Sequence, residues 1–506
     1  MAKKEKIIIA GGGYAGLSFA ALMASYGHDV TVYEAHTYLG GCASFFKRGP
    51  FKFDCGATTL SGLAPERPLH RLIEILNLKL DTVYLECPMQ IHLSSGEKIN
   101  RYSDFDLFMK ELKKVFPHLS HSSYWKGLKD KEERLWKILS ASQYFPPKGV
   151  NDLFKLLTLD TIKNADLGYH AFKTLASNTP SPLLADRKYQ DFLNEQLIIS
   201  TQSKIKEVPG LIGAMGLIYP DDMHYCFGGI STLAYKLKDS IIQNGGQVYE
   251  RHIVDKVTNF GDEIKVFGRR PAGKTFENQS DIFVSALTIW DTLKILEKDL
   301  VPDFSKKFGI TDRNSTRGSW GAMTATFAVK SKTSITPLYH QVHYKNDSNN
   351  KGSYFFSFSH PEDKERAPQG YQTVTVSTHS RPEEWNESLD KSVYLEIKKQ
   401  FEDKVLTTFN EVFSKYEIES IEKIAVGTPR TFERFTRRHR GLVGGLPHNK
   451  NNTILSFPSQ ETPIRNFYQI GDTTFPGQGI VGVTTGALIL AGKILGKSLL
   501  KSGQFY

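Results

Sequence analysis

Ile7-Ile8-Ile9-Ala10-Gly11-Gly12-Gly13-Tyr14-Ala15-Gly16 carries an apolar run straight into a glycine turn. Such a run, bounded by glycine, reads as a strand covered on both faces in a parallel sheet. Small and apolar residues from Leu17 to Tyr26 read as a helix, and His28 to Tyr33 as a second strand that ends at Glu34. Strand, turn, helix, strand and acid make a βαβ unit whose turn has the spacing Gly11-x-Gly13-x-x-Gly16, the fingerprint of a dinucleotide site. Gly11 permits the turn, Gly13 leaves room for a pyrophosphate, and Gly16 lets the helix lie close to the strand. Tyr14 and Ala15 fill the positions between, where a helix N-terminus offers free N–H groups and a positive dipole end to phosphate. Glu34 is placed to accept hydrogen bonds from a ribose.

Upstream, Lys3, Lys4 and Lys6 before an apolar stretch imitate a secretory signal, but the glycines and the strand to Glu34 favour the βαβ unit. Downstream, Gly40-Gly41-Cys42 places a glycine pair just past the ribose acid, where backbone passes close to a cofactor. A nicotinamide enzyme ordinarily continues here into another plain βα unit. The pair points instead to FAD, held extended along the domain. Residues 46–56 then read as a short hairpin.

Length and charge bound the rest. With 506 residues the chain exceeds one ordinary core, so two or three domains are expected. The net charge of 64 − 54 = +10 is moderate and dispersed, which makes an anionic membrane surface at least as good a partner as nucleic acid, and no nucleic acid is expected. Cys42, Cys55, Cys87 and Cys226 have neither metal nor redox spacing, as in a reduced, cytoplasmic protein. Ile480 to Leu495 is apolar but holds Thr484, Thr485 and Lys493, so it reads as a buried helix, and no transmembrane helix is expected.

Between the chain ends, residues 101–175 read as helices rich in Phe and Trp, with Phe105, Phe108, Trp125, Trp136, Phe145 and Phe154 interleaved with lysines. Two readings stand: basic amphipathic helices lying in a membrane interface, or a helical cap with a solvated polar face. Near Gly228-Gly229 the chain returns to the cofactor domain, with the adenine end beside Val254. Strand signals over residues 320–380 describe a mixed sheet. His340, His343 and His360 lie there without an acid or cysteine at ligand spacing, so they read as core or solvated histidines and no metal is expected. The basic run Arg434-Phe435-Thr436-Arg437-Arg438-His439-Arg440 serves lipid phosphate, cofactor phosphate or only solvent. The last motif, Gly471-Asp472 followed by Phe475-Pro476-Gly477-Gln478-Gly479, leads into a helix. Asp472 suits a hydroxyl of the ribityl chain. The helix start at Gly479 and Ile480 suits the flavin's pyrimidine edge, where its dipole stabilises charge on the reduced ring.

Taken together, the fingerprint glycines, Glu34, Gly40-Gly41, Phe53-Asp54-x-Gly56, Gly427-Thr428-Pro429 and the 471–479 motif resemble the phytoene desaturase, carotenoid isomerase and retinol saturase family of FAD enzymes. Arg366-Ala367-Pro368 with Gly370 and the Val-Ser-Thr-His run at 376–379 are similar to bacterial carotenoid 3,4-desaturases. Many bacterial desaturases have arginine after the glycine pair, where this chain has Cys42; the isomerases and saturases have small residues there. The resemblance implies an α/β fold: a Rossmann-type FAD-binding domain of GDI/amine-oxidase-like two-domain flavoproteins, with a mixed-sheet substrate domain and a helical cap. The FAD domain would comprise 1–85, 215–290 and 425–506, the cap and candidate membrane contact 86–214, and the substrate domain 291–424. The implied activity is desaturation of a long apolar polyene by flavin-mediated hydride transfer. Isomerisation, retinol-type saturation, another flavin oxidase such as an amine oxidase, and a non-enzymatic escort of prenylated proteins are the alternatives. Such chemistry requires no strong acid–base side chain, so no catalytic residue is named. An apolar substrate implies peripheral contact with a membrane.

Overall fold

The computed structural model describes the chain apart from residues 1–3, 142–143, 148–149, 157–158, 261–262, 313, 346–350, 386–387 and 501–506. Strand Lys6–Ala10 lies at the centre of a five-stranded parallel sheet, in the order Gln247–Glu250, Asp29–Glu34, Lys6–Ala10, Ile282–Ser285, Phe467–Gln469. Ile7, Ile8 and Ile9 are completely buried. Each such side chain contributes roughly 1.5–3 kcal/mol by leaving water, which is why this strand needs no polar alternation. Helix Tyr14–Ser25 is buried from Tyr14 to Ala24. Helix Gly479–Leu495, buried from Thr484 to Gly492, packs along it and joins the two ends of the chain. No helix among the described residues is long and apolar enough to cross a membrane. An antiparallel excursion, Ile253–Phe260, Glu263–Arg269 and Thr275–Ser280, precedes the return strand Ile282–Ser285.

The second sheet has seven strands, in the order Ile418–Gly427, Gly321–Ser331, Tyr371–Ser380, Lys351–Phe358, Tyr339–Lys345, Met89–His92, Lys98–Arg101. It is antiparallel except where Tyr339–Lys345 runs parallel to Met89–His92, so the sheet is mixed, as expected. Its last two strands come from a segment expected to open the helical cap at residue 86. They form a tight hairpin, with Leu93 N–H donating to Glu97 O at 2.9 Å, and are too short for a period-2 pattern to show. His340 and His343 are core residues of this sheet. His92 Nε2 lies 3.0 Å from His340 Nδ1, and burial keeps both rings neutral by lowering their pKa values, that of His92 to about 4.

Helices Phe105–Val115, Ser122–Ala141, Arg187–Thr201 and Gly210–Ile218 dominate the cap. Phe108, Phe116, Trp125, Trp136, Leu139 and Phe145 are buried, and Trp125 Nε1 donates to Tyr189 Oη at 2.9 Å. These aromatic residues form the core of the cap itself and do not face a membrane. Of the interleaved lysines, Lys110, Lys113, Lys114, Lys126 and Lys137 are exposed, while Lys129 lines the cavity. Among the described residues the cap exposes Leu107, Phe154, Ile162, Tyr169 and Phe172.

One buried contact fixes the second sheet against the dinucleotide domain. Arg366 Nη2 and Asp54 Oδ2 form an ion pair at 2.9 Å with both side chains almost fully enclosed. Around it, Thr375 Oγ1 donates to Asp54 O at 3.0 Å, while Tyr225 Oη and Gly228 N donate to Asp363 at 2.6 and 2.8 Å. Replacing Arg366 by Met leaves a buried carboxylate without its counter-ion. The urea unfolding midpoint should then fall by the equivalent of about 3–5 kcal/mol. The Asp54→Asn/Arg366→Met double variant should lose less than the two single variants combined.

Candidate cofactor and substrate site

The fingerprint turn owes its shape to glycine. Gly11 sits at φ +108° and donates its N–H to Tyr33 O at 2.8 Å. A Cβ on Gly16 would stand 2.1 Å from the Gly11 carbonyl oxygen, whereas one on Gly13 would meet nothing within 4 Å. Gly13 therefore borders open space. It also caps helix Tyr14–Ser25 without any side chain bonding the first turn, leaving the N–H groups at Tyr14 and Ala15 free for an anion. The Tyr14 ring is fixed by its own Oη–H, which donates to Ile230 O at 2.6 Å. The glycine pair is tied to the same turn: Gly40 N–H donates to Gly12 O at 2.9 Å.

Glu34 supports this arrangement from behind. Its Oε2 accepts from Gly12 N and its Oε1 from His36 N, both at 2.7 Å, and burial raises its pKa. Each oxygen keeps a lone pair for a ribose hydroxyl, but the first task of the carboxylate is to hold its own turn. Val254 begins a bulged part of strand Ile253–Phe260. His252 N–H donates to Glu34 O at 2.8 Å, which brings that strand beside the acid. Gly11, Gly16, Glu34 and Val254 stand outside the cavity lining, whereas Gly13, Tyr14, Ala15, Gly40, Gly41 and Cys42 line it.

From the far end of the chain, Gly471, Asp472, Gly479 and Ile480 line the same cavity. Gly471 and Gly479 have φ of +117° and +81°. Gln478 caps helix Gly479–Leu495 without a side-chain bond to its first turn, so that end also presents unpaired N–H groups. The Asp472 carboxylate is engaged: Arg438 Nη2 donates to its Oδ2 at 2.7 Å. Arg438 lines the cavity, while Arg440 turns away to donate to Asn314 O at 3.0 Å. Burial pushes the Cys42 thiol up, and the nearby Arg438 charge pulls the other way. Arg438 thus places a guanidinium near Cys42, the residue that follows the glycine pair.

Sequence reasoning left Arg438 unresolved within a basic run and passed over two further groups. Gln202 Nε2 donates to Gly444 O at 2.6 Å and to Gln478 Oε1 at 2.9 Å, holding the 444 and 478 turns to helix Arg187–Thr201. Gly445 lies so close beneath Asp472 that a Cβ there would be 1.9 Å from the Asp472 carbonyl oxygen. A second glycine pair after the basic run was the available signal for it.

The cavity has a volume of about 610 Å³. It continues from the two glycine turns to Trp136, Leu139, Ile212 and Met215 of the cap. Its charged lining groups are mostly paired: Arg438 with Asp472 at 2.7 Å, Arg67 with Glu132 at 2.9 Å and Lys129 with Asp221 at 3.7 Å, while Glu133 is exposed to solvent. Two helix N-termini, glycines that leave backbone uncovered, and a guanidinium between them fit an extended dinucleotide. No cluster of three or more metal-ligating side chains exists among the described residues.

The comparisons agree with this geometry. A domain described as NAD(P)-binding Rossmann-like matches residues 9–76. The chain is 24% identical to prolycopene isomerase 1, chloroplastic, of an Oncidium hybrid cultivar, over 97% of this chain and 84% of that protein. It is 25% identical to all-trans-retinol 13,14-reductase of Danio rerio, over 97% and 86%, and 23% identical to 1-hydroxycarotenoid 3,4-desaturase of Flavobacterium sp. (strain P99-3), over 94% and 96%. The chain matches the carotenoid desaturase, carotenoid isomerase and retinol saturase family. Its fold is that of cyclohexylamine oxidase from Brevibacterium oxydans, with a TM-score of 0.59 at 13% identity over 97% of this chain and 100% of that one. These similarities establish an oxidoreductase with a dinucleotide or flavin cofactor.

Gly445→Ala should displace the 471–472 turn, and Arg438→Ala should remove the one guanidinium at that end. Both variants should lose bound flavin on purification. In fluorescence-quenching titrations Arg438→Lys should bind flavin more tightly than Arg438→Ala and less tightly than the wild type.

Proposed function

We propose that this chain is an FAD-dependent desaturase of a long, apolar, carotenoid-like polyene taken from a membrane surface. The observation that carries the reading is the continuity of the cavity. It joins a phosphate-binding end and a flavin-facing helix terminus to an apolar gallery walled by Trp136, Leu139, Ile199, Ile212, Met215 and Phe355. Only a substrate without charged groups along its length suits such a gallery. The names of the relatives fall in the same substrate class.

A bound flavin supplies the hydride acceptor. The protein supplies the rest. Gly13, Gly40 and Gly41 keep the cradle free of side chains, Arg438 offsets anionic charge, and the gallery excludes water and aligns the polyene. Cis–trans isomerisation is the second reading, favoured by the small residue Cys42 after the glycine pair and by the similarity to prolycopene isomerase.

Access from a membrane is supported by the cap. Phe154 and Phe172 are 67% and 65% exposed and share short helices with Ile162 and Tyr169, among the exposed Lys155, Lys163 and Lys173. Apolar side chains ringed by lysine suit an anionic interface. Of these, Leu159–Lys163 packs on Ser122–Ala141 and Leu167–Phe172 on Gly210–Ile218, the two helices that wall the cavity.

Expression in bacteria making phytoene, lycopene or a hydroxylated carotenoid tests the activity. Desaturation yields a pigment lighter by two hydrogens, isomerisation one of equal mass and different retention, and unchanged pigments in all three hosts would refute the polyene reading. Phe154→Asp/Phe172→Asp should reduce sedimentation with anionic liposomes about tenfold or more while flavin binding is kept; equal sedimentation would place the membrane contact elsewhere.

A further inference from the structure

Along strand Tyr371–Ser380, alternate side chains face opposite sides of the sheet. Thr375 reaches Asp54 O across the domain boundary, and beyond it Ser377, Thr378 and His379 all line the cavity. His379 pairs in register with Ala322, another lining residue. Its ring meets Trp320 edge-on, with centroids 5.9 Å apart. The Trp320 backbone N–H donates to Gln202 Oε1 at 2.8 Å, and Gln202 Nε2 donates to Gln478 Oε1, at the cap of helix Gly479–Leu495. The ring that packs on His379 thus belongs to a residue tied through one amide to the start of that helix.

Among the described residues no group hydrogen-bonds the His379 ring, and burial alone lowers its pKa, to about 4. Several of the other ionisable side chains on the cavity are engaged, Glu133 is exposed to solvent, and burial holds the Tyr219 phenol protonated. Arg438 is paired with Asp472, Arg67 with Glu132, and Lys129 with Asp221, while Asp222 accepts from Gly62 N and Ala64 N. Tyr14 donates to Ile230 O. His448, the second imidazole on the wall, stacks on Phe457 with centroids 4.9 Å apart and fills the space over Gly477, where a Cβ would stand 2.7 Å from its Nε2. That ring is packing. His379 is the neutral base left facing the apolar gallery.

We propose that His379 is the proton-transfer residue of this cavity, taking the proton from one carbon of the polyene while the neighbouring carbon gives a hydride to the oxidised flavin. The assignment rests on the flavin–polyene reading above. The hydride leaves with the electron pair of its C–H bond. The second C–H bond yields its proton to an imidazole nitrogen, and its electron pair becomes the new C=C bond. The polyene loses two electrons and two hydrogens, the flavin gains two electrons and one hydrogen, and His379 later releases the remaining proton to water. A neutral imidazole in a dry cavity keeps a nitrogen lone pair open without burying a charge in the resting state, and the imidazolium formed must pass its proton on because burial disfavours it.

The test uses His379→Ala and His379→Gln in the full chain with FAD and a polyene that the wild type converts, presented in liposomes. Flavin affinity, read by fluorescence quenching, should stay within about twofold of wild type. Single-turnover conversion should fall about a hundredfold or more, and added imidazole should restore part of it in His379→Ala. In histidine-labelled flavin-free protein, the ring resonance absent from His379→Gln should shift when polyene is added. Wild-type conversion matched by both variants overturns the assignment alone. So does loss of flavin in both variants, since the residue would then belong to the cofactor cradle, and so does absence of imidazole rescue. A wild type that binds flavin yet converts no polyene overturns the functional reading and this assignment with it.

Discussion

The architecture depends on one buried ion pair. Asp54 ends the hairpin that follows the glycine pair, and Arg366 lies between strands of the second sheet. Their contact sets the spacing between the layer that cradles a cofactor and the layer that roofs the cavity. A buried pair of this kind contributes little net stability over an apolar substitute, because desolvation offsets most of the attraction. It does specify alignment, since a shift of either layer strands a charge. The surrounding bonds, Thr375 to Asp54 O and Gly228 N to Asp363, are satisfied at the same alignment. The widths of the cradle and of the gallery follow from that register.

Within the cradle, backbone does what side chains do elsewhere. Gly12, Gly40 and Glu34 form a closed set of hydrogen bonds: Gly40 N to Gly12 O, Gly12 N to Glu34. This fixes two turns that no side chain fills. At the opposite end Gly445 lets the chain pass directly beneath Asp472. The site is split across residues 13 to 479, and helix Gly479–Leu495 packed on helix Tyr14–Ser25 brings the halves together. Apolar burial in that helix pair explains why the C-terminal segment is so hydrophobic without being a membrane span.

What the sequence shows plainly is what glycine and β-periodicity encode locally. The first βαβ unit, the return strand Ile282–Ser285, the mixed sheet and the terminal motif all carry their own signals. Three features do not. Met89–His92 and Lys98–Arg101 are too short to display a period. The Phe- and Trp-rich helices have the same composition whether they face lipid or one another, and only tertiary packing shows that Trp125 and Phe108 face inward. Arg438 sits in a basic run whose members are alike in sequence; the left-handed Arg437 that ends helix Pro429–Thr436 turns residue 438 inward while Arg440 faces away. In each case the deciding information is a contact between residues far apart in the chain.

The placement of charge along the cavity follows from the chemistry of an apolar reactant. A charge beside a polyene would lose its hydration without compensation, so charges belong where water or phosphate can meet them. Arg438 is paired with Asp472, Arg67 with Glu132 and Lys129 with Asp221. Elsewhere the wall offers aromatic and aliphatic surface, hydroxyls and neutral imidazole. Burial itself keeps that imidazole uncharged, so the dryness that admits the polyene also holds the ring in its proton-accepting form. A carboxylate in the same position would be pushed toward its protonated state by the same burial and would serve poorly as a base. In a cavity built to exclude water, histidine stays neutral with an open nitrogen lone pair, where a carboxylate would take up a proton.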